Sequence, residues 1–127
     1  MADERGSATI WMLGLATVIV LLSMTAVTGG SAVLARHRLE RAADLSALAA
    51  AQSIGTGTGP CAAADRVARA NGARLLECLP DLAPSGRSGT VGVRLAATVS
   101  LPVLGSRPVT ARARAGRLPA MKKAPIG

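Results

Sequence analysis

Residues 6–35 read GSATIWMLGLATVIVLLSMTAVTGGSAVLA, 30 positions without a charged side chain. The hydrocarbon core of a bilayer needs about 20 apolar residues in helical form. Ile10 to Val27 supplies the dense part, with Ile10, Trp11, Met12, Leu13, Leu15, Val18, Ile19, Val20, Leu21, Leu22, Met24 and Val27. The polar members, Thr9, Thr17, Ser23, Thr25 and Thr28, are small hydroxyls that bond back to the preceding turn and are tolerated in lipid. Trp11 stands near the upstream edge, where an indole favours the membrane–water interface. A cleaved signal peptide has an apolar core of about 7–15 residues behind a basic start. Here the run is longer and follows Asp3-Glu4-Arg5, so Val33 and Ala35 make only a loose cleavage site. The reading is an uncleaved anchor, with a leader at residues 1–8 and a transmembrane helix at 9–34.

Composition narrows the rest. The chain has 127 residues, 50% hydrophobic and 17% charged, with one Trp and no Phe or Tyr. That length excludes a two-domain enzyme. Beyond the apolar block the chain is too short and too rich in Ala and Gly to bury a large core. That argues against a self-sufficient soluble globule, and the want of aromatic side chains argues against a stacking-based nucleic-acid binder. Charge is uneven. Residues 1–60 balance to zero, and the whole net charge of +8 comes from residues 61–127. From Arg107 to Gly127 there are six basic residues and no acid. Such an end suits anionic lipid heads or wall polyanions, and equally reads as a solvated face or a flexible tail.

After the anchor, residues 35–53 read ARHRLERAADLSALAAAQS, without Pro or Gly, and predict helix. Leu39, Ala42, Ala43 and Ala49 fall near one stripe, with Leu45, Leu48 and Gln52 beside it. One rod from Thr9 to Ser53 is expected, with Gly29-Gly30 the point at which it would bend, and about half of it outside the lipid. Gly55 to Pro60 is a breaker. A second helix follows at Cys61–Ala70, ended by Asn71-Gly72. Ala73–Leu79 is expected extended and Pro80–Gly89 a loop. Thr90–Leu101 alternates, with Val91, Val93, Leu95, Ala97, Val99 and Leu101 on one face. Pro102–Pro108 reads as a turn. Val109–Ala115 alternates again, giving an antiparallel pair, and residues 118–127 carry no pattern. The fold class is α+β: a long N-terminal transmembrane helix continuing outside the membrane (35–54), then a module at 55–117 with a short helix and a two- to three-stranded antiparallel sheet.

Cys61 and Cys78 are the only cysteines. On one continuous helix they would stand about 25 Å apart, whereas a disulfide needs Cα atoms within about 7 Å. The Asn71-Gly72 break lets the chain return, so a bridge is feasible; two buried free thiols remain the alternative. Two sulfurs cannot complete a zinc site, and His37 lies far off in sequence beside the membrane. A bridge implies an oxidising compartment. Arg36, Arg38 and Arg41 behind the span would instead place the C-terminal part in the cytoplasm; the cysteines are given the greater weight.

No catalytic constellation stands out. His37 sits between Arg36 and Arg38 with no nucleophile one turn away. Gly55-Thr-Gly-Thr-Gly lacks the Lys-Ser/Thr and the preceding strand of a phosphate loop. A non-enzyme is expected, with no cofactor, no metal and no small-molecule substrate.

The order of parts resembles a known family. Asp3-Glu-Arg-Gly-Ser-Ala-Thr-Ile before the apolar helix, then Arg36-His-Arg-Leu-Glu-Arg-Ala-Ala-Asp-Leu-Ser-Ala-Leu-Ala-Ala-Ala51, is similar to the TadE/TadG-like minor pilins, or pseudopilins, of tight-adherence Flp-type pilus systems. The Cys61-Ala-Ala-Ala-Asp-Arg-Val-Ala stretch with its later Asn71-Gly-Ala and Cys78 resembles the secretion-neighbourhood TadE-like branch. The resemblance implies a cytoplasmic N-terminus, an extracytoplasmic C-terminal module and assembly, helix against helix, with other pilin and pilus-assembly membrane proteins. It also implies prepilin-peptidase cleavage after Gly6, with Ser7 the new first residue. Pilins of this class carry Glu five residues after the cut; here that position is Trp11.

The function expected is a membrane-anchored pilus or secretion-assembly component. Small residues at Gly14, Ala16, Ala26, Gly29, Gly30 and Ala42 would let partner helices approach closely. Two other readings are a basic envelope protein holding anionic polymer or lipid, and a DNA-handling competence-type pseudopilin.

Overall fold

The computed structural model describes residues 4–101 and 104–121. The element order is α1 (Glu4–Gln52), α2 (Pro60–Ala70), β1 (Arg74–Leu82), β2 (Gly89–Leu101) and β3 (Gly105–Arg117). The strands form one antiparallel sheet in the order β1-β2-β3. The fold is therefore α+β, with a rod, a short helix and three strands.

The 49 residues of α1 run unbroken through Gly29-Gly30 and, at about 1.5 Å each, span about 74 Å. Residues 4–8 of the expected leader lie in the first turns of this helix, and residues 1–3 lie outside the described residues. Thr17 and Ser23 donate to the carbonyls of Leu13 and Ile19, both at 2.8 Å, so these hydroxyls are satisfied within the helix. From Gly6 to Leu34 the described side chains are exposed; burial begins at Leu39.

On the docked half of α1 the expected stripe holds at Leu39, Ala42 and Ala43 and departs from expectation beyond them. Leu39, Ala42, Ala43, Ser46, Ala47, Ala50 and Ala51 are buried, whereas Leu45 and Leu48 each keep 49% exposure. Small side chains face inward because α2 and the sheet approach the helix closely, and the bulkier leucines are turned out. Ser46 is accommodated by donating to the Ala42 carbonyl at 2.7 Å.

The core has two adjoining parts. Leu39, Ala42 and Ala43 meet Ala68, Ala73, Leu95 and Ala111. Ala47, Ala50, Ala51 and Ile54 meet Ala64, Val91 and Val93. Thus β2 runs antiparallel to α1, its start beside the C-terminal end of the helix and its end pointing back toward the apolar half. The alternation expected for β2 holds, with Val91, Val93 and Leu95 inward.

Helix α2 starts at Pro60, whose missing N–H costs nothing at that position. It ends at Asn71-Gly72 as expected. Gly72, at φ +71°, donates to the Arg69 carbonyl at 3.0 Å, and Ala73 donates to Ala68 at 2.9 Å. This paired closure needs a left-handed residue, which glycine supplies.

Two boundaries are corrected. The loop expected from Pro80 is shorter: β1 continues to Leu82, with Pro80 opposite Val91. The turn expected through Pro108 is shorter too, because β3 begins at Gly105 and places Pro108 opposite Thr98. Both prolines sit on the outer strands, β1 and β3, where a missing N–H need not break the sheet. The β1 register shifts by one residue between Leu75 and Glu77, so Leu76 is a bulge. Gly89 is required where β2 begins: at φ +144°, an added Cβ would lie 2.3 Å from the Asp81 carbonyl oxygen. Of the unpatterned tail, residues 118–121 carry no regular element, and residues 122–127 lie outside the described residues.

Candidate functional site: the apolar helix and its bridged module

The cysteine pair is a disulfide. Cys61 enters from the first turn of α2 and Cys78 from the middle of β1, with their Cα atoms 5.8 Å apart. The return of the chain through Asn71-Gly72 brings them together. Cys78 stands opposite Val93, so the bridge clamps α2 onto the β1–β2 pair. In the chain-entropy account, closing a loop with a sequence separation of 17 is worth about 3 kcal/mol.

The small residues expected to pack helices fall into two groups. Gly14, Ala16, Ala26, Gly29 and Gly30 are exposed on the apolar half of α1. Among the described residues, an added Cβ at Gly14, Gly29 or Gly30 meets nothing within 4 Å. Ala42 is placed differently. It is 3% exposed and packed into the chain's own core, where it holds the module to the helix. Gly6 is exposed within the first turns of α1, and Ser7 follows it there; Trp11, five residues after the Gly6–Ser7 bond, is 79% exposed.

Charged groups gather at the level where the module begins. Arg36 Nε donates to Glu40 Oε1 at 3.0 Å, and His37 Nδ1 lies 3.2 Å from Glu40 Oε2. The hydrogen bond from Arg36 holds the Glu40 carboxyl below its ordinary range, with the charge of Arg36 and the contact with His37 adding to the effect and desolvation opposing it. His37 is thus engaged with a carboxylate. Among the described residues there is no group of three or more His, Cys, Asp or Glu placed to hold a metal ion.

The outward face of the sheet carries a feature the sequence reading did not single out. Arg94 of β2 stands opposite Glu77 on one side and Arg112 on the other. Arg94 and Glu77 form an ion pair, while Arg94 Nε is buried without a hydrogen-bond partner. Arg114, opposite Gly92, extends the row. Even-numbered positions in both alternating strands carried this signal, since they point away from the core.

Among the described residues a single apolar helix is long enough to cross a membrane; carrying a bridged α+β module at its far end, it fits a single-pass membrane anchor. Residues 6–53 match the family model described as putative Flp pilus-assembly TadE/G-like. That likeness, over 48 of the 127 residues, supports a pilus-assembly component. The match covers almost the whole of α1 and stops where the helix gives way to the turn before α2. No curated protein and no solved structure matches the chain.

Proposed function

We propose that the protein is a membrane-anchored minor pilin- or pseudopilin-like component of a Flp-type pilus or related secretion assembly, non-catalytic and working by helix–helix contact. The observation that carries this reading is the division of α1. Its C-terminal half is covered by the chain's own module, and its apolar half, within the matched stretch, keeps its described side chains exposed. The exposed half is held in the membrane with residues 1–8 in the cytoplasm and residues 35–117 outside. The disulfide supports that orientation, since bridges persist in oxidising compartments. Gly14, Ala16, Ala26, Gly29 and Gly30 admit partner helices, because small residues let backbones approach in lipid. Prepilin-peptidase cleavage after Gly6, leaving Ser7 first, belongs to this reading; Trp11 in place of the usual Glu favours an assembly factor over a filament subunit.

The test is topology together with complex formation. An alkaline phosphatase fusion after Arg117 is expected to be active, and crosslinkers placed at Gly14 and Gly30 are expected to capture pilus-assembly membrane proteins. A fusion active only inside the cell would overturn the orientation, and a protein freely dissolved in cytosol would overturn the anchor. A second reading, an envelope protein holding anionic polymer, draws on the row of Arg94, Arg112 and Arg114. It predicts salt-sensitive retention on teichoic-type polyanions that Arg112→Ala and Arg114→Ala abolish.

A further inference from the structure

We propose that Leu101 and Leu104, at the end of the β2–β3 hairpin, dip into the outer leaflet beside the anchor, and that phospholipid acyl chains fill the groove between them and the helix. The proposal rests on the reading that α1 spans a membrane.

The depth follows from register. Leu95 packs with Leu39, Ala42 and Ala43. Leu101 lies six residues further along β2, about 20 Å at strand rise, or about 13 residues of helix. Leu101, the described end of β2, therefore falls beside residues 25–30 of α1. The groove there agrees: it is lined by Met24, Val27, Gly29 and Ala32 on the helix and by Leu101 and Leu104 on the hairpin. Gly29 and Ala32 continue, at helical spacing, the stripe that is buried at Leu39 and Ala43. Any window of about 20 residues within the uncharged run 6–35 ends at residue 25 or beyond. Leu101 thus lies at the interface or below it.

Among the described residues the groove is a gap rather than a packed seam. An added Cβ at Gly29 meets nothing within 4 Å, and Leu104 is 67% exposed. In water such an apolar cleft would be costly. At this depth the solvent is hydrocarbon, which fills it without loss. The charge pattern fits the same placement. Arg107 stands opposite Val99, on the helix-facing side of the hairpin and just above the tip. Arg36 and Arg38 are exposed on α1 near that level. Long arginine side chains carry their charge to the headgroups while their stems cover apolar surface. Three cations in one belt, one of them shared with Glu40, favour anionic phospholipid.

The test uses the full chain in phosphatidylcholine–phosphatidylglycerol vesicles. Trp11 is the only tryptophan, so W11L carrying L104W reports the tip alone and W11L carrying L79W reports the exposed outer sheet face. Intact mass under non-reducing conditions verifies that each variant has formed its bridge. Expected is a blue-shifted L104W emission, lost in vesicles of chain-brominated lipid and independent of protein-to-lipid ratio, with L79W unaffected. Acrylamide quenching of L104W equal to that of L79W would overturn the proposal. So would a blue shift that appears only at high protein density, which would put a second copy in the groove. The native chain supplies the separate check on the anchor. Trp11 quenched by bromolipid with L104W unquenched removes the tip proposal alone, whereas an unquenched Trp11 removes the anchor as well.

Discussion

Arg117 closes the end of the long helix from the far side of the fold, its Nη1 donating to the Ile54 carbonyl at 2.8 Å across 63 residues of sequence. The same nitrogen lies 3.4 Å from the Gln52 carbonyl. Helix C-termini leave carbonyls without intrahelical partners and carry partial negative charge. No basic residue occupies the last turn of α1, so the last residue of β3 provides the cation instead. Arg117→Ala is expected to lower module stability by about 1 kcal/mol, and Arg117→Lys by less. Chemical denaturation of detergent-solubilised protein measures it, and equal midpoints for the native chain and R117A would refute the capping role.

The disulfide should rank among the largest single contributions to the stability of the module. Cys61→Ser with Cys78→Ser is expected to cost about 3 kcal/mol, and to loosen α2 and β1 while leaving α1 helical. Hydrogen exchange locates the change: protection should fall in residues 60–82 and persist in residues 10–34. Native protein alkylated before reduction should show no thiol adduct by mass.

Much of this architecture was legible because two periodicities are clean. The strand alternation from Val91 to Leu95 predicted the inward face, and the uncharged run predicted the exposed half of α1. The break at Asn71-Gly72 predicted the return that joins Cys61 to Cys78. What the sequence hid is tertiary in origin. Pro80 and Pro108 read as strand breakers, yet both occupy outer strands, a status that depends on strand order. The inward face of α1 beyond Ala43 was hidden for a similar reason. Leucines near the stripe looked like core, but beyond Leu39 the buried positions of α1 are held by alanine and serine, and Leu45 and Leu48 are displaced outward. Neither the Arg117 cap nor the hairpin's reach along the helix leaves a local sequence signature.

Leu95 joins helix, sheet and α2 in one cluster and is fully buried. Leu95→Ala should therefore cost about 3 kcal/mol through lost burial and the cavity left behind. Leu104→Ala, at the exposed tip, should leave the unfolding midpoint of the detergent-solubilised module unchanged. The pair separates core packing from general hydrophobicity, and equal losses would mean that the tip is part of the core.

Glu40 gives the segment just beyond the span a pH dependence of known sign. Its carboxyl is held below the ordinary range by Arg36 first, with His37 assisting. A group whose folded pKa is depressed adds stability that is present above the unfolded value and is lost as pH falls through the folded one. The contribution is therefore full at neutral pH and disappears in acid. Glu40→Gln should remove the acid-dependent component without altering the neutral-pH fold. Carboxyl NMR titration tests it directly: a Glu40 midpoint at or above that of an unstructured glutamate would contradict the assigned interaction.

The small residues of α1 offer the sharpest separation of folding from assembly. Ala50 is fully buried against the module, and overpacking a tight core costs about 1–3 kcal/mol. Ala50→Leu should lower the unfolding midpoint in detergent. Gly14→Leu and Gly30→Leu place the same bulk where an added Cβ meets nothing within 4 Å, so they should leave that midpoint unchanged or raise helix stability slightly. If partner helices approach through these glycines, the same two variants should lose co-purification with pilus-assembly membrane proteins while retaining membrane insertion and the Cys61–Cys78 bridge. Retained co-purification by both would show that assembly does not use the glycine-bearing surface, and the exposed Leu45 and Leu48 outside the membrane would then be the next positions to vary.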